Sequence, residues 1–278
     1  MSTQTCLHQE ADYFLGTDDA ELARLRVQHQ VWRSFALDFW KRAGIEPGKT
    51  VLDLGCDPGY TTVDLAKLVA PTGRVVAVDG SAQFIEYLKL QQHTLGLANI
   101  DAYVMDAQHL DLAVASIDVA YARWVLCYVP EPDAVMRGVA NVLRRGGVIA
   151  VEDFLNRGGQ LLAPASEAHD RMVQAMVESW RRHGGDHMIG LRLPELMQQH
   201  GLSVEVIRPL QHAIRPSSPL WQWPNTFFHN FVPSLVEQGL LREADQRDFE
   251  RDWAERARNH TTVFWSPPMM AVIARKPQ

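Results

Sequence analysis

Residues 51–60, Val-Leu-Asp-Leu-Gly-Cys-Asp-Pro-Gly-Tyr, lead from an apolar strand through a tight turn into the start of a helix. Gly55 and Gly59 allow the backbone to turn sharply and to approach a ligand closely. The first turn of the helix then offers unpaired N–H groups and a positive dipole end, which suit a carboxylate or a phosphate. A plain tight turn explains two glycines equally well, so the interpretation depends on the segments that follow.

Strand and helix patterns alternate after this turn. The helices are expected at about 60–70, from Ser81 onward, and at 132–143, with a stop at Gly146 and Gly147. The strands are expected at 50–54, 74–78, 99–105, 117–121 and 148–151. This alternation predicts a parallel sheet covered on both faces, with its ligand beyond the carboxyl ends of the strands.

The flanking regions have other patterns. Residues 17–43 predict one long helix, with Leu22, Leu25, His29, Trp32, Ala36 and Phe39 on its inward face. After Asp153 the expected elements are helices at 164–182, 193–200 and 219–258, a strand at 203–210, and a strand pair or one long strand at 262–275. We therefore expect an N-terminal lid region at 1–46, a core at 47–155, and a helical cap at 156–278 that also completes the sheet.

Polar residues stand at the ends of three successive strands. Asp79 ends the second strand about twenty residues beyond the glycine turn, where a carboxylate can accept hydrogen bonds from both hydroxyls of a ribose. Asp106 and Ala107 follow the third strand and can offer a side-chain acceptor and a backbone N–H to an adenine edge. Arg123 ends the fourth strand, where backbone carbonyls can meet an ammonium group. A solvated loop aspartate is the alternative for Asp79.

Together these segments resemble class I S-adenosylmethionine (SAM)-dependent methyltransferases. The resemblance implies an α/β, Rossmann-like, doubly wound sheet of seven mostly parallel strands, with an antiparallel C-terminal strand at 266–274 and a helical cap. It also implies SAM as the cofactor and residues 13–16 as part of a lid. The implied cofactor-binding residues are Tyr13, Gln28, Asp53, Gly55, Cys56, Asp57, Gly59, Asp79, Gly80, Asp106, Ala107 and Arg123.

Asp57 departs from the family pattern, which usually has glycine at this position. Aspartate tolerates unusual backbone angles, so the turn can persist. Its carboxylate would lie near the methionine end of SAM and would attract the sulfonium or repel the cofactor's carboxylate. Three readings stay open: methyl transfer, a SAM-fold protein that catalyses a cyclisation or elimination, and a non-catalytic protein with a degenerate site.

A nicotinamide enzyme is a weaker alternative, because the Gly-x-Gly-x-x-Gly fingerprint is absent. The candidates for catalysis are His29, His187 and Tyr13, and the alternative for each is ordinary packing or a solvated loop. No metal site is expected, because Gly184 and Gly185 separate His183 from His187 and argue against a rigid helix.

Composition limits the partners. The net charge of -6 and the lack of a basic stripe argue against nucleic acid and anionic membranes, and no apolar run is long enough to cross a bilayer. Three cysteines without metal spacing, and an N-terminus that does not resemble a signal peptide, favour the cytoplasm. The aromatic second half favours a small apolar or aromatic acceptor, in secondary metabolism, and the oligomeric state stays open, a homodimer included.

Overall fold

A computed structural model describes residues 16–278 of the chain, so the expectations for Tyr13 and for the start of the lid lie outside the described residues. The helices are α1 (Asp19–Arg42), α2 (Tyr60–Val69), α3 (Ala82–Leu95), α4 (Pro132–Val142), α5 (Glu167–Arg182), α6 (Leu193–Gln199), α7 (Gln222–Glu237) and α8 (Glu243–Ala257). The strands are β1 (Thr50–Leu54), β2 (Arg74–Asp79), β3 (Ile100–Val104), β4 (Ile117–Arg123), β5 (Leu143–Phe154), β6 (Leu161–Ala163), β7 (Ser203–Leu210), β8 (Ala213–Ile214), β9 (Val263–Trp265) and β10 (Met269–Arg275).

Seven strands form the main sheet in the order β3-β2-β1-β4-β5-β10-β7. The first five of these pair in parallel, and β10 is antiparallel to both β5 and β7. The predicted seven-stranded, mostly parallel sheet with an antiparallel C-terminal strand is confirmed. Because the chain runs outward from β1 in one direction and then returns to β4 on the other side, the strand order reverses between β1 and β4.

Both faces of the sheet are covered by apolar residues. Alternate strand residues point to opposite faces, so Val51 and Val75 pack with one core cluster, whereas Leu52 and Val76 pack with the other. The first cluster includes Trp40 and residues of α2 and α3. The second includes residues of α4 to α8. The cap is therefore continuous with one of the two cores.

Helix α1 begins as its sequence predicts. The side chain of Asp18 accepts a hydrogen bond from the N–H of Glu21 at 2.9 Å, which satisfies one of the free donors at the helix start. The expected inward face is buried except for Leu22, which is partly buried. This face packs against α2 and α7, so α1 lies between the sheet and the cap. No helix within residues 16–278 is long and apolar enough to span a membrane.

The link from α4 to β5 differs from the prediction. We expected Gly146 and Gly147 to stop the helix before a strand at 148–151, but the helix ends at Val142 and the strand runs without a loop from Leu143. The register between β4 and β5 shifts beside these glycines. A Cβ at Gly147 would lie 2.8 Å from the carbonyl oxygen of Arg144, so glycine here serves an irregular strand rather than a helix end.

The cap is less helical than predicted. The range 219–258 contains two helices, α7 and α8, with a break at 238–242. The tail is neither one long strand nor a simple pair, because β9 and β10 belong to different sheets. Strands β6, β9 and β8 form a small antiparallel sheet that the sequence did not indicate. Pro267 and Pro268, which lack N–H groups, separate β9 from β10.

Candidate functional site

The turn between β1 and α2 requires its two glycines for packing. A Cβ at Gly55 would lie 2.6 Å from Cγ2 of Val125, and one at Gly59 would lie 2.3 Å from Cδ1 of Leu88. Both glycines also have positive φ, at +66° and +87°. Glycine at these positions was expected to let the backbone approach a ligand, and the packing shows that the fold itself also requires glycine there.

Asp79 is held at the carboxyl end of β2 by two backbone donors. Its Oδ2 accepts the N–H of Asp57 and its Oδ1 accepts the N–H of Ser81, each at 2.9 Å. Burial raises the pKa of Asp79, although these two hydrogen bonds act in the opposite direction. The side chain therefore has a fixed orientation next to the glycine turn, and its contact with a ribose stays a prediction.

A cavity opens beside the turn, between α1 and the carboxyl ends of β1 and β4. It brings together predicted residues from three distant parts of the chain. Its lining consists of Leu25, Gln28, His29, Asp53, Gly55, Cys56, Asp57, Tyr60, Thr61, Tyr121, Arg123 and Trp124. We call it the cofactor cavity, since it lies where a doubly wound sheet binds its ligand.

Two carboxyl groups in the cofactor cavity have raised pKa values. Burial raises the pKa of Asp53 to about 6, although its Oδ2 accepts a hydrogen bond from the hydroxyl of Thr62 at 2.6 Å. Burial, followed by the charge of Asp79, raises the pKa of Asp57 well above its ordinary value. A cationic group of a ligand close to these two carboxyl groups would lower both pKa values, because a nearby positive charge favours the ionised form.

Arg123 is the positively charged side chain in the lining of the cofactor cavity. Its Nη2 lies 3.4 Å from Oγ1 of Thr61, and its Nη1 is buried with no hydrogen-bond partner among residues 16–278. A buried donor without a partner is costly, and an anionic ligand group would satisfy it. The backbone carbonyl groups of this strand end were expected to meet the ligand, and the guanidinium of Arg123 also lines the cavity.

His29 is oriented by a carboxylate. Its Nε2 lies 3.0 Å from Oδ2 of Asp64, which also accepts from Nε of Arg33 at 2.5 Å. Burial acts to raise the pKa of Asp64, but the hydrogen bonds from His29 and Arg33 lower it to about 2. With Nε2–H donating to Asp64, the other ring nitrogen, Nδ1, is an acceptor that lies 3.4 Å from the hydroxyl of Thr61 at the cavity wall.

A buried polar chain links α1 to the cap. Arg24 makes two hydrogen bonds to Glu21, at 2.7 and 2.6 Å, and its Nη1 donates to Oε1 of Gln28 at 2.9 Å. The same oxygen of Gln28 accepts from Nε1 of Trp223 on α7 at 3.2 Å. Gln28, which was expected to contact the cofactor, therefore joins the cavity wall to the cap.

The segment expected to read an adenine lies beside Asp79. The N–H of Met105 donates to the carbonyl oxygen of Asp79 at 2.8 Å, which places the ends of β2 and β3 together. Asp106 has a side chain that is 48% exposed and binds the N–H of Gln108 at 2.9 Å. The predicted residues that do not line the cofactor cavity are Gly59, Asp79, Gly80, Asp106 and Ala107, so their assignment to the cofactor stays a prediction.

His187 does not lie at the cofactor cavity. His187 is partly buried and absent from the lining, and its carbonyl oxygen accepts the N–H of Arg157 at 2.8 Å. Its catalytic role stays a prediction. Within the described part of the chain, no group of three or more His, Cys, Asp or Glu side chains has a metal-binding arrangement.

Some cavity residues were not singled out from the sequence. Tyr60 and Thr61 line the cavity from α2, and Asp64 on the same helix contacts His29 without lining the cavity. Their signal was only that the N-terminal turns of a helix after a glycine turn face the ligand. Tyr121 is buried on β4 and donates its hydroxyl to Oε2 of Glu152 at 2.7 Å. Nothing in the local sequence indicates that pairing.

Known proteins resemble this chain in sequence. A family model described as a methyltransferase domain matches residues 45–201. The methyltransferase GfsG of Streptomyces halstedii is 27% identical over 208 residues, which cover 73% of this chain and 69% of GfsG. The ubiquinone/menaquinone biosynthesis C-methyltransferase UbiE of Escherichia coli is 27% identical over 143 residues, which cover 51% of this chain and 55% of UbiE. The chain spans about half the length of most of the curated relatives that it matches.

A solved structure shares the fold. The cyclase SpnF superposes with a TM-score of 0.55 at 18% identity, over 86% of this chain and 78% of SpnF. At that identity the likeness shows the fold alone.

Proposed function

The chain belongs to the class I SAM-dependent methyltransferase family, and from that premise we propose that it transfers the methyl group of SAM to an oxygen, nitrogen or carbon atom of a small-molecule acceptor. One observation carries the proposal. Asp79, the acid expected to bind the ribose, accepts the N–H of Asp57, which belongs to the turn whose side chains line the cofactor cavity. The residue expected to bind the sugar of SAM is therefore hydrogen-bonded to the residue expected to lie at the methionine end of SAM.

The charges of the cofactor cavity support SAM as the ligand. The amino-acid end of SAM carries an ammonium and a carboxylate, beside a sulfonium. Asp53 and Asp57 provide negative charge for the cations, and Arg123 provides a buried donor without a partner for the carboxylate. A ligand with only one sign of charge would leave one of these groups uncompensated.

The protein's contribution to catalysis would consist mainly of positioning. SAM supplies an activated methyl group whose leaving thioether needs no proton. Aligning the acceptor with the methyl group can supply roughly 7–11 kcal/mol of the barrier in favourable cases. Where the acceptor must lose a proton, His29 is the base that the geometry supports, since Asp64 holds one ring nitrogen and leaves Nδ1 at the cavity wall.

A small acceptor is favoured over a macromolecule. The net charge is -6, and the cap places a group of aromatic rings next to α1 and the cofactor cavity. Rings of Trp32, Trp124 and Trp223 contact one another at centroid distances of 4.9–5.6 Å. Such walls suit an apolar or aromatic molecule. GfsG and UbiE are named as methyltransferases, which is consistent with this reaction class.

The test is incubation with methyl-labelled SAM and a panel of aromatic and apolar metabolites, followed by product mass. A mass gain of one methyl group supports the proposal. A product of unchanged mass would favour a cyclisation or elimination, the alternative suggested by the departure at Asp57. Saturable SAM binding without any turnover would favour a non-catalytic protein.

A further inference from the structure

Gln28 on α1 contacts both the cofactor cavity and the cap. Its side chain lines the cavity and is 9% exposed. Its Oε1 accepts two hydrogen bonds, one from Nη1 of Arg24 at 2.9 Å and one from Nε1 of Trp223 at 3.2 Å. Trp223 lies on α7, so one of the two donors belongs to the cap. A residue of the cap therefore holds a residue of the cavity wall.

These two partners determine which way the amide of Gln28 points. A guanidinium and an indole N–H are donors only, so the amide atom that they contact must be the oxygen. The nitrogen, Nε2, then lies on the other side of the planar amide, and it has no hydrogen-bond partner within residues 16–278. Because Gln28 lines the cofactor cavity, its amide offers N–H donors of fixed orientation to a ligand there.

The cofactor cavity is the place expected for the amino-acid end of SAM. Its lining includes Gly55 and Asp57 of the glycine turn, but neither Asp79 nor Asp106, which are expected to bind the ribose and the adenine. The amino-acid end carries two cationic groups, the ammonium and the sulfonium, and one strong acceptor, the carboxylate. N–H donors do not bind cations, so the carboxylate is the group that the amide of Gln28 matches.

Three contacts, about one helical turn apart, hold α7 of the cap against α1. They are Nδ2 of Asn230 to the carbonyl oxygen of Ala20 at 3.3 Å, Cζ of Arg24 to the ring centroid of Phe227 at 5.8 Å, and Nε1 of Trp223 to Oε1 of Gln28 at 3.2 Å. The residues on α1 are four positions apart, so they share one face of the helix. The bond to Gln28 is therefore part of a regular seam between the two helices.

The ring of Trp223 is itself held in place by its neighbours. It is 5% exposed, and it stacks on Trp124 with the centroids 5.6 Å apart and the planes at 10°. It also meets Trp32 edge to face, at 4.9 Å and 84°. A rotation of the indole that broke the bond to Gln28 would also disrupt these two ring contacts. Nε1 of Trp223 is therefore a donor with a fixed position.

We propose that Trp223 is a positioning residue for the cofactor: its indole N–H holds Oε1 of Gln28 and so directs the Nε2 donors of that amide to the carboxylate of SAM. This inference rests on the proposed function, since it adds a residue to the binding site for SAM. A carboxylate has two oxygens, so Gln28 on α1 and Arg123 on β4 can bind it from different walls of the cavity. Because Trp223 belongs to the cap, recognition of the carboxylate depends on how α7 packs against α1.

SAM and decarboxylated SAM test the proposal, because they differ only in the carboxylate. Each is titrated by calorimetry into the full chain at pH 7, and the ratio of the two dissociation constants is the readout. We expect the native protein to bind SAM more tightly by about tenfold or more. Gln28→Met should reduce this preference by roughly fivefold, and Trp223→Phe, which keeps a ring but loses the N–H, by about threefold. Damage to the fold alone would weaken both ligands and leave the ratio unchanged.

Trp253→Phe is the matched control. Trp253 lies in the cap on α8, is 7% exposed, and donates from its Nε1 to Oδ1 of Asn225 at 3.0 Å. The substitution removes the same atoms and a similar hydrogen bond, but it leaves the contacts of Gln28 intact, so the ratio should stay at the native value. In the Gln28→Met background, Trp223→Phe should have no further effect on the ratio, because Trp223 acts through Gln28.

A native ratio in Gln28→Met, or in a folded Trp223→Phe protein, overturns the proposal. Gln28→Glu covers the case in which Trp223→Phe does not fold. Its carboxylate still accepts from Arg24 and Trp223 but offers no amide donor, so its ratio should shift towards decarboxylated SAM, and a native ratio overturns the proposal here too. If the native chain binds both ligands equally, the inference fails and the proposed function stands. If SAM does not bind at all, the proposed function itself fails.

Discussion

The backbone N–H of Asp57 donates a hydrogen bond to Oδ2 of Asp79 across 2.9 Å. The residue that departs from the family's glycine motif therefore holds the acid assigned to the ribose, and it does so with its main chain. Asp57 reaches this geometry at a φ of 49°, a left-handed conformation that aspartate and asparagine tolerate better than most residues. Its side chain is then free for another role in the cavity.

The variant Asp57→Asn tests whether the carboxylate of Asp57 attracts the sulfonium of SAM. A carboxylate near a sulfonium attracts SAM but not S-adenosylhomocysteine, whose sulfur is neutral. At about 4 Å and an effective dielectric near 20 the attraction is ~4 kcal/mol before solvent screening. We expect the variant to lose roughly tenfold of its preference for SAM over S-adenosylhomocysteine, measured by calorimetry. Asp57→Gly should lose the same preference, because it removes the same charge. An unchanged preference in both variants would mean that the aspartate does not contact the cofactor's sulfur.

Asp53 predicts how SAM binding depends on pH. Its pKa of about 6 means that the group is mostly protonated at pH 5 and mostly ionised at pH 7. Because the cofactor's cations favour the ionised form, affinity should rise with pH, by roughly tenfold over this range. Asp53→Asn should lose this part of the rise, since asparagine does not titrate. Parallel pH profiles of the native and variant dissociation constants would contradict the assignment.

Without SAM, the unfolding free energy of the protein should change with pH in the opposite direction. A carboxyl group whose pKa is raised by folding binds protons more tightly when folded, so the unfolding free energy falls as pH rises from about 4 to about 6. The asparagine of Asp53→Asn still accepts the hydrogen bond from Thr62 but does not titrate. The variant therefore does not lose this part of the unfolding free energy as pH rises. Its stability relative to the native protein should improve over that window by up to ~3 kcal/mol. Denaturant unfolding at several pH values measures the difference, and a constant difference would count against the raised pKa.

Substitutions at His29 and Asp64 should lower the rate of turnover and leave the affinity for SAM nearly unchanged. For an acceptor that loses a proton, His29→Gln should lower kcat by about 10²-fold or more, because general-base catalysis commonly contributes that much. Asp64→Asn should lower kcat less and shift the pH–rate profile, since it only positions the ring. The dissociation constant of SAM provides the control and should change little. Full turnover by His29→Gln would exclude this base.

Gly59→Ala tests whether the motif glycine is required by packing. The new Cβ would lie 2.3 Å from Leu88, and φ is +87°, so we expect destabilisation of about 2–5 kcal/mol. Gly96→Ala is the matched control, with a φ of +63° and nothing within 4 Å. It should cost only about 1–2 kcal/mol. Equal losses in urea unfolding would mean that the contact with Leu88 relaxes easily.

The core of the fold could be predicted because its signals are local. An apolar run, a glycine turn and a capping residue such as Ser81 each act over a few residues, and the Ser81 side chain does accept from the N–H of Phe84 at 3.2 Å. The glycines at 146 and 147 misled the prediction, since glycine marks both helix ends and irregular strands. Their role depends on the pairing of β4 with β5, which the local sequence does not contain.

The sequence singled out candidate site residues only where one contiguous segment contained them. The turn from Asp53 to Gly59 and the acid Asp79 came from contiguous motifs. His29 and Asp64 lie 35 positions apart, and Gln28 and Trp223 lie 195 apart. Such pairs depend on how helices pack, and one sequence does not specify that. The small sheet of β6, β9 and β8 was missed for the same reason, since two or three residues give too short a pattern.

Calorimetric titration of SAM into the native chain and into Asp79→Asn tests whether Asp79 holds the ribose of a bound SAM. We expect saturable binding by the native chain and a loss of about 100-fold in the variant, because two charge-assisted hydrogen bonds to the ribose would be weakened. Asp111→Asn, in an exposed loop, should bind SAM like the native chain. No binding by the native chain at millimolar SAM would mean that SAM is not its cofactor, and equal affinity in Asp79→Asn would mean that Asp79 does not hold the ribose.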